Sequence, residues 1–366
     1  MGYWFILVAA VFIGFIAGIA FMIRCIGKFG FVRKLAGENR TLKILVPLGV
    51  MAVAVGAVTL ILSFVNAVVF FLHAVVFFII WELIFFIIRK ASRKEFTRYW
   101  AGILAVATTV IYIGIGIYLC AHVWQTNYTL TSSKVSSPVR IALIADSHLG
   151  TLFGGEGFAE YMREIEAQNP DILIISGDFV DDSSERAELV RACEALGQMD
   201  LTYGVYYAFG NHDKGYYEGT RDFSAQDLVD ELERNGVYVL EDSLVNFGEL
   251  CIIGRADASY DEDRMEMSSL ILSADPGRYI VVIDHEPTDF DNEAATYADL
   301  VLCGHTHGGQ MFPFTLMGSV FGNDRDYGYE RRNDTDFIVT SGIADWELWF
   351  KTGVHSEYVI IDVVPQ

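Results

Sequence analysis

The sequence predicts two parts of different fold class, an N-terminal transmembrane region with four helices and a C-terminal α/β domain. Residues 1–124 are strongly apolar and contain three acidic residues, whereas the remaining positions contain 44 of the 47 acidic residues in the 366-residue chain. Beyond residue 138, short apolar runs alternate with amphipathic helical patterns. This alternation is typical of a buried, mostly parallel sheet flanked by helices.

Four apolar stretches precede residue 124, and each is long enough to cross a bilayer core, which takes about 20 residues as a helix. Ser63 and Asn66 mark a tight turn between the second and third stretches. A cleaved signal peptide is the alternative for the first, but that stretch has no basic segment before it and further spans follow it. The predicted helices cover residues 3–23, 44–62, 65–88 and 101–121.

Two clusters of basic residues indicate the orientation of these helices. Loops rich in Lys and Arg remain cytoplasmic, so we expect both termini and the acidic domain on the extracytoplasmic side of the cell membrane. The first cluster comprises Arg24, Lys28, Arg33, Lys34, Arg40 and Lys43, and the second Arg89, Lys90, Arg93, Lys94 and Arg98.

Polar residues inside the predicted spans have two interpretations. Asn66, His73 and Glu82 are candidates for a function because ionisable groups are costly in a membrane. Glu82 alternatively reaches the interface, and His73 is alternatively a neutral, hydrogen-bonded helix contact. No series of ionisable residues that would relay protons accompanies them.

The rest of the chain divides into a predicted linker, residues 125–138, and a domain, residues 139–366. Residues 125–366 together carry 29 more acidic than basic residues, which argues against nucleic acid as a partner. Cys193, Cys251 and Cys303 lack the spacing of a disulfide framework and are predicted to be buried thiols. The sequence does not determine the oligomeric state.

Five apolar runs of the domain each lead directly into a polar loop. They are "VRIALIA" before "DSHLG", "DILIIS" before "GDFVDD", "GVYYAF" before "GNHDKG", "YIVVI" before "DHEP", and "ADLVLC" before "GHTHGG". Ligands bind at the carboxyl ends of strands in such sheets. Five of the six histidines after residue 138 lie in these loops, and the glycines beside His305 and His307 favour a tight loop on which two imidazoles converge. Carboxylate, imidazole and carboxamide groups together suit Mn, Fe or Zn.

These blocks, in this order, resemble those of the calcineurin-like metallophosphoesterases over residues 140–310, and the form "GHTHGGQMFP" is most similar to the membrane-anchored bacterial branch, some members of which act on phospholipid-like substrates. The resemblance implies a two-sheet αββα sandwich and two divalent metal ions, with Mn favoured over Fe or Zn. It also implies that His212 lies beside the scissile phosphate and that Asp213 orients His212. The implied ligands of one metal are Asp146, His148, Asp178 and His307, and those of the other are Asp178, Asn211, His285 and His305.

Several neighbouring residues keep two interpretations. Asp181 and Asp182 either support the ligands or cap the following helix, and the cap is favoured. Asp284 is expected to point away from the site by strand alternation. His355 is expected at the surface.

Residues 341–358, "SGIADWELWFKTGVHSEY", lack the Pro and Arg elements of the nearest relatives, which leaves the substrate open. Their aromatic residues Trp346, Trp349 and Phe350 either contact lipid or, as favoured, belong to the core.

The leading hypothesis is a membrane-anchored, dinuclear metal-dependent phosphoesterase that hydrolyses phosphate mono- or diesters. Lipid or envelope components are the candidate substrates, because the predicted anchor holds the domain near a membrane. One alternative is a non-enzymatic membrane sensor that binds a phosphorylated ligand through its metal domain. Another is a transporter with an accessory domain, which the small number of polar residues in the spans argues against.

Overall fold

A computed structural model describes the whole chain except Met1, Lys94, Tyr217, Glu218, Asp261 and Glu262, and it describes residues 2–12 by their backbone alone. Lys94 of the second basic cluster, and the side chains at the start of the first predicted span, therefore lie outside the described residues. The chain forms two compact units, Met1–Gly116 and Ile117–Gln366.

The first unit is helical. In the described part of the chain, the third, fourth and fifth helices are long and apolar enough to cross a membrane. The described part of the first helix meets the second helix at an angle of 90°. The number of possible spans rises to four if these two helices together form a single bent span. The prediction of an apolar helical region is therefore confirmed, with three or four spans. The helices are α1 (Gly2–Ile26), α2 (Gly30–Ala36), α3 (Leu42–Ile61), α4 (Phe64–Ser92) and α5 (Trp100–Ala121).

Polar side chains of this unit have local partners. The Ser63 hydroxyl accepts a hydrogen bond from the Asn66 backbone N–H and caps α4, which confirms the predicted turn. His73 Nδ1 lies 2.8 Å from the Val69 carbonyl oxygen one turn earlier. Glu82 forms a 2.6 Å ion pair with Lys28. These contacts support the structural interpretations of His73 and Glu82.

The second unit contains two six-stranded mixed sheets. The strand order is β1-β12-β2-β3-β4-β5 in the first sheet and β10-β11-β9-β8-β7-β6 in the second. Strands β2 to β5 are mutually parallel, as are β7, β8, β9 and β11. The strands are β1 (Val123–Ser132), β2 (Val139–Ile144), β3 (Ile172–Ser176), β4 (Gly204–Ala208), β5 (Val237–Leu240), β6 (Ser243–Phe247), β7 (Leu250–Gly254), β8 (Tyr279–Ile283), β9 (Leu300–Cys303), β10 (Gly328–Arg332), β11 (Thr335–Val339) and β12 (Ser356–Pro365).

Three apolar layers hold the two sheets and their helices together. The central layer joins both sheets, with Ile141 and Ile174 from the first packed in the same cluster as Val281 and Leu302 from the second. Helices α6, α7 and α8 cover the outer face of the first sheet, and α9 and α10 cover that of the second. This is the predicted αββα sandwich. The helices are α6 (Gly155–Glu166), α7 (Arg186–Gly197), α8 (Ala225–Arg234), α9 (Met267–Leu270), α10 (Phe290–Glu293) and α11 (Gly318–Phe321).

The segment predicted as a linker differs from that expectation. Its first half belongs to β1, which pairs in parallel with β12 along ten residues. The strand is at the edge of its sheet and is partly exposed, so its alternate side chains are polar and its composition resembles that of a loop. Only His122 separates the end of α5 from the start of this strand.

The cysteines are free thiols, as expected. All five are buried, and none forms a disulfide bond.

Candidate metal centre

The candidate site lies where strands of both sheets end. The loops after β2, β3 and β4 come from the first sheet, and those after β8 and β9 come from the second. Backbone hydrogen bonds join neighbouring loops, from Asp146 N–H to the Gly177 carbonyl and from Gly304 N–H to the His285 carbonyl. Parallel strands bring their carboxyl ends to one edge, and the facing sheets then bring two such edges together.

Positive φ angles cluster among the residues of these loops. Asp146, His148 and Asp178 have φ of 54°, 35° and 52°, and His305 and His307 have φ of 70° and 48°. Such angles are uncommon and costly for non-glycine residues, and they collect at functional sites. His305 and His307 therefore lie on a tight loop, as their glycine neighbours indicated, and not on an extended strand.

Glycine 304 is required by close approach. A side chain there would place its Cβ 2.5 Å from Ala145 Cβ and 2.7 Å from Asp146 Oδ2. Any larger residue would push the β9 loop away from the β2 loop, because neither neighbour is a flexible chain end. The glycine thus keeps side chains from the two sheets within reach of one another.

Two groups of donor atoms face one another across a shared carboxylate. The first comprises Asp146, His148 and His307, and the second Asp178, His285 and His305, with the ligand atoms of each group within 4.8 Å of one another. Asp178 Oδ2 lies 3.2 Å from His285 Nε2 in its own group and 3.6 Å from His148 Nε2 in the other. Asp178 is therefore placed where a bridging ligand would lie.

Asn211 completes the second group. Its Oδ1 lies 2.8 Å from His305 Nδ1 and 3.2 Å from His285 Nε2. The structure thus brings together all seven residues for which a ligand role was predicted, and the first-group residue His307 has its Nε2 3.8 Å from Asp146 Oδ1.

The donor sets fit divalent cations. Both ring nitrogens of His148 are buried without a hydrogen-bond partner, although buried polar atoms are nearly always paired. The facing carboxylate oxygens, Asp181 Oδ2 and Asp178 Oδ2, lie 3.4 Å from Nδ1 and 3.6 Å from Nε2. A mixture of carboxylate, imidazole and amide oxygen donors suits Mn, Fe or Zn.

Burial and neighbouring charges shift the pKa values of the site in opposite directions. Burial lowers the pKa of His305 to about 4 and holds that of His307 well below its ordinary value. Burial acts to raise the pKa of Asp178, but the charge of His285 outweighs it and holds that pKa well below its ordinary value. His305 and His307 thus present neutral imidazoles. Burial acts to lower the pKa of His148 and of His285, but nearby carboxylates outweigh it and raise both, so these two rings would release a proton on binding a metal.

His212 lies at the mouth of the site. Its backbone N–H donates to Asp178 Oδ1 at 2.8 Å. Its ring lies between two aromatic side chains that are exposed at the surface, with centroid distances of 5.0 Å to Tyr216 and 5.5 Å to Trp346. The imidazole is thus held next to the shared carboxylate, and 14% of the side chain is exposed. The aromatic residues near the site were predicted to belong to the core. This prediction is wrong for Trp346, which is exposed, whereas Phe350 is fully buried as favoured.

Asp213 has a different position from the one expected. Its carboxylate accepts hydrogen bonds from the backbone N–H groups of Asp178, Val180 and Gly210 at 2.7 to 3.0 Å. Both oxygens are used to join the β3 and β4 loops, so this buried carboxylate holds the backbone of the site. The carboxylate beside His212 belongs to another residue.

That residue is Asp181. Its Oδ1 lies 3.4 Å from His212 Nδ1, and its Oδ2 lies 3.4 Å from His148 Nδ1. The favoured helix-cap interpretation of Asp181 is wrong, because α7 begins after Glu185. Asp182 instead accepts hydrogen bonds from the Tyr216 N–H and stabilises the loop. For Asp181, its position three residues after Asp178 was the sequence feature that could have indicated its contacts with His212 and His148.

Asp345 is the residue that sequence reasoning missed. Its Oδ1 lies 3.4 Å from His307 Nδ1, and its Oδ2 accepts a 2.8 Å hydrogen bond from Gln310 Nε2. It is fully buried, which raises its pKa to about 7, and Lys351 Nζ lies 3.8 Å away. No spacing marks this residue, since it is 38 positions from His307 and becomes its neighbour only through the loop before β12.

The remaining flanking residues are away from these groups. Asp284 faces Arg255 and Arg264, at 2.9 Å and 2.6 Å, as strand alternation predicted. His355 is partly exposed, its ring next to that of Trp124.

Comparisons with known proteins agree with this geometry. A family model described as calcineurin-like phosphoesterase matches residues 139–309. An uncharacterized metallophosphoesterase of Bacillus subtilis strain 168 is 30% identical over 199 residues, which cover 52% of this chain and 71% of the relative. An uncharacterized metallophosphoesterase of Helicobacter pylori strain J99 is 24% identical over 272 residues, covering 70% of this chain and 71% of the relative.

A protein of Danio rerio, named as a transmembrane protein with a metallophosphoesterase domain, is 30% identical over 233 residues. The match covers 60% of this chain and 52% of that relative, so the chain spans about half of its length. Together these matches show that the chain belongs to the calcineurin-like phosphoesterase family. This family uses dinuclear metal centres, in agreement with the two donor groups.

Proposed function

We propose that the protein is a membrane-anchored, metal-dependent phosphoesterase that hydrolyses phosphate mono- or diesters. The observation that carries the proposal is the pair of donor groups sharing Asp178, with the imidazole of His212 open at their mouth. A purely structural cluster would have no need of an accessible histidine held against the shared carboxylate.

The proposed ligands divide between two cations, with Mn favoured over Fe or Zn. Asp178 bridges the two sets. Two adjacent cations supply charge that activates a water and stabilises both the attacking and leaving oxygens of a displacement. One set is Asp146, His148, Asp178 and His307, and the other is Asp178, Asn211, His285 and His305.

Residues of the chain itself bind and orient the ester. His212 donates a proton or a hydrogen bond to a phosphate oxygen or to the leaving oxygen, a role that an imidazole serves as a general acid. Asp181 fixes the ring through the 3.4 Å contact with Nδ1, which leaves Nε2 for the substrate. Asp213 holds the loops that carry Asp178 and His212 at a fixed separation.

The proposed location follows from the first unit. Three or four apolar helices fit membrane insertion. The basic loops favour an extracytoplasmic position of the catalytic domain, in a multi-pass arrangement with residues 1–124 as the membrane region. Phosphate esters of lipid or envelope components are then the accessible substrates.

The test uses the full chain in nanodiscs with p-nitrophenyl phosphate and bis-p-nitrophenyl phosphate. Manganese-loaded protein is compared with chelated protein, and His212→Ala with His355→Ala, a histidine of the same domain outside the site. We expect metal-dependent turnover that is lost in His212→Ala and retained in His355→Ala. Stoichiometric metal binding without cleavage of either ester, or of a lipid phosphate, would contradict the enzyme and favour a sensor of phosphorylated ligands.

A further inference from the structure

One surface segment of the second unit is unusually apolar. Residues 311–322, "MFPFTLMGSVFG", contain no charged side chain, although their domain is strongly acidic. Five large apolar side chains in ten residues are exposed in the full chain, and Leu316 and Val320 are 76% and 70% exposed. We call residues 311–322 the apolar lip. The five side chains are Phe312, Phe314, Leu316, Val320 and Phe321.

The lip is anchored at its base. The Phe312 N–H donates to the Thr352 carbonyl at 3.0 Å, and the Thr352 N–H donates to the Gln310 carbonyl at 3.1 Å. The rings of Phe314 and Phe321 contact each other edge to face at 6.0 Å. The exposed apolar side chains therefore project from a backbone that is hydrogen-bonded at its base, and two of them, Phe314 and Phe321, are in contact. Contiguous exposed apolar patches mark interaction sites.

The lip is also joined directly to the candidate metal centre. It begins one residue after Gln310, whose side chain donates to Asp345, and Asp345 faces His307. A ligand that covers the lip therefore lies beside the loop that carries His305 and His307.

The occupant that fits this surface is a lipid bilayer. The chain carries at least three helices able to span a membrane, and only His122 separates α5 from β1, so the domain stays at a membrane surface. An acidic domain is repelled by anionic headgroups, which leaves apolar insertion as the attractive contact. A surface of Phe, Leu, Val and Gly without charges matches the acyl region, where aromatic and aliphatic side chains of peripheral proteins bury.

We propose that the apolar lip inserts into the leaflet that faces the catalytic domain and holds the metal centre at the level of the lipid headgroups. The substrate class is then a phosphate ester carried by a membrane lipid, and this second clause rests on the proposed phosphoesterase activity. Insertion itself does not depend on that activity.

Insertion is measured on the full chain in nanodiscs. Leu316→Cys is labelled with an environment-sensitive fluorophore, and spin-labelled lipids are used as quenchers. The matched control is Glu233→Cys, an exposed position on α8, and the unsubstituted chain with its five buried cysteines gives the background labelling. We expect strong quenching at residue 316 and none at residue 233. Equal quenching at the two positions would overturn insertion.

The substrate clause is tested with Leu316→Gln and Val320→Gln combined. Hydrolysis of a phosphatidic acid in the same nanodisc is expected to fall at least about tenfold, the factor for losing burial of one large apolar side chain, while p-nitrophenyl phosphate hydrolysis stays unchanged. Leu272→Gln is the matched control because that leucine is 77% exposed and lies outside the lip.

The outcomes separate the two proposals. An equal loss on both substrates would overturn the lipid clause. No hydrolysis of either substrate by the unsubstituted chain would overturn the proposed function, whereas the quenching result would still decide insertion.

Discussion

Two buried polar clusters of the second unit begin at adjacent residues and are neutralised differently. Around Asp284, the guanidinium of Arg255 lies 2.8 to 3.1 Å from Asp284, Asp289 and Glu293. Around His285, in the described part of the chain, the ion-pair contacts of Asp146 and Asp178 are with histidines. The cluster around Asp284 contains its own cations, the arginine side chains. The cluster around His285 offers lone pairs to metal cations, which the chain does not supply.

This difference shows that two adjacent residues after β8, Asp284 and His285, belong to clusters of different kinds. Consecutive side chains point to opposite sides of an extended backbone, so Asp284 and His285 enter different clusters. In the arginine cluster, Arg255 contacts three carboxylates, so removing one partner would leave buried charge uncompensated. In the candidate metal centre the carboxylates face imidazoles, whose ring nitrogens can also bind a metal ion.

The largest expected effect is at the shared carboxylate. Asp178→Asn removes the negative charge between the two donor groups while retaining the shape of the side chain. We expect turnover to be abolished, a greater loss than the about 10²–10⁴-fold contribution of one general acid. Metal content by mass spectrometry should fall while the circular dichroism spectrum is retained. Retained turnover would remove the bridging role.

His212→Ala should have the next largest effect. Turnover is expected to fall by about 10²–10⁴-fold, as for loss of one acid or base, because Nε2 no longer donates to the ester. Metal content should remain that of the unsubstituted protein, since His212 is outside the proposed ligand sets. A parallel loss of metal would show that His212 is itself a metal ligand. His212 would then have no separate role as a proton donor to the ester.

Arg255→Met tests the other cluster. Removing the guanidinium takes away the cation that Glu293 contacts, while Asp284 keeps Arg264, and this should lower the free energy of unfolding by about 3–5 kcal/mol. Denaturant unfolding measures this loss, and bound metal per folded chain should be unchanged. A change in metal stoichiometry with little loss of stability would show that the two clusters are not independent.

Asp181→Asn should have the smallest effect, on turnover and on metal affinity, each by about 10–100-fold, because the carboxylate orients His212 and His148. The kcat should fall more than KM changes, and Asp181→Glu should restore part of it. Asp182→Asn is the control, as that neighbour only supports a loop. Equal kinetics for the two asparagine variants would refute the positioning role.

Much of the fold was predictable because its pattern is local. Amphipathic patterns between the apolar runs predicted flanking helices, which are α6, α7 and α8, and continuous apolar runs located the central strands. Strand β1 was the exception. An edge strand with polar alternate residues resembles a linker until a partner strand supplies its hydrogen bonds, and here that partner is the C-terminal strand β12.

The sequence by itself predicted that polar residues gather where the strands end, because parallel strands end at one edge, and its resemblance to a family implied which of them are metal ligands. Tertiary structure alone decided how the carboxylates around those donors are used. Asp181 and Asp213 lie in equally polar loops, yet one faces two imidazoles and the other binds three backbone N–H groups. Asp345 reaches His307 from a loop far along the chain. Such contacts depend on where the loops of the two sheets meet. No periodic pattern in the sequence predicts which of these loops come close to each other.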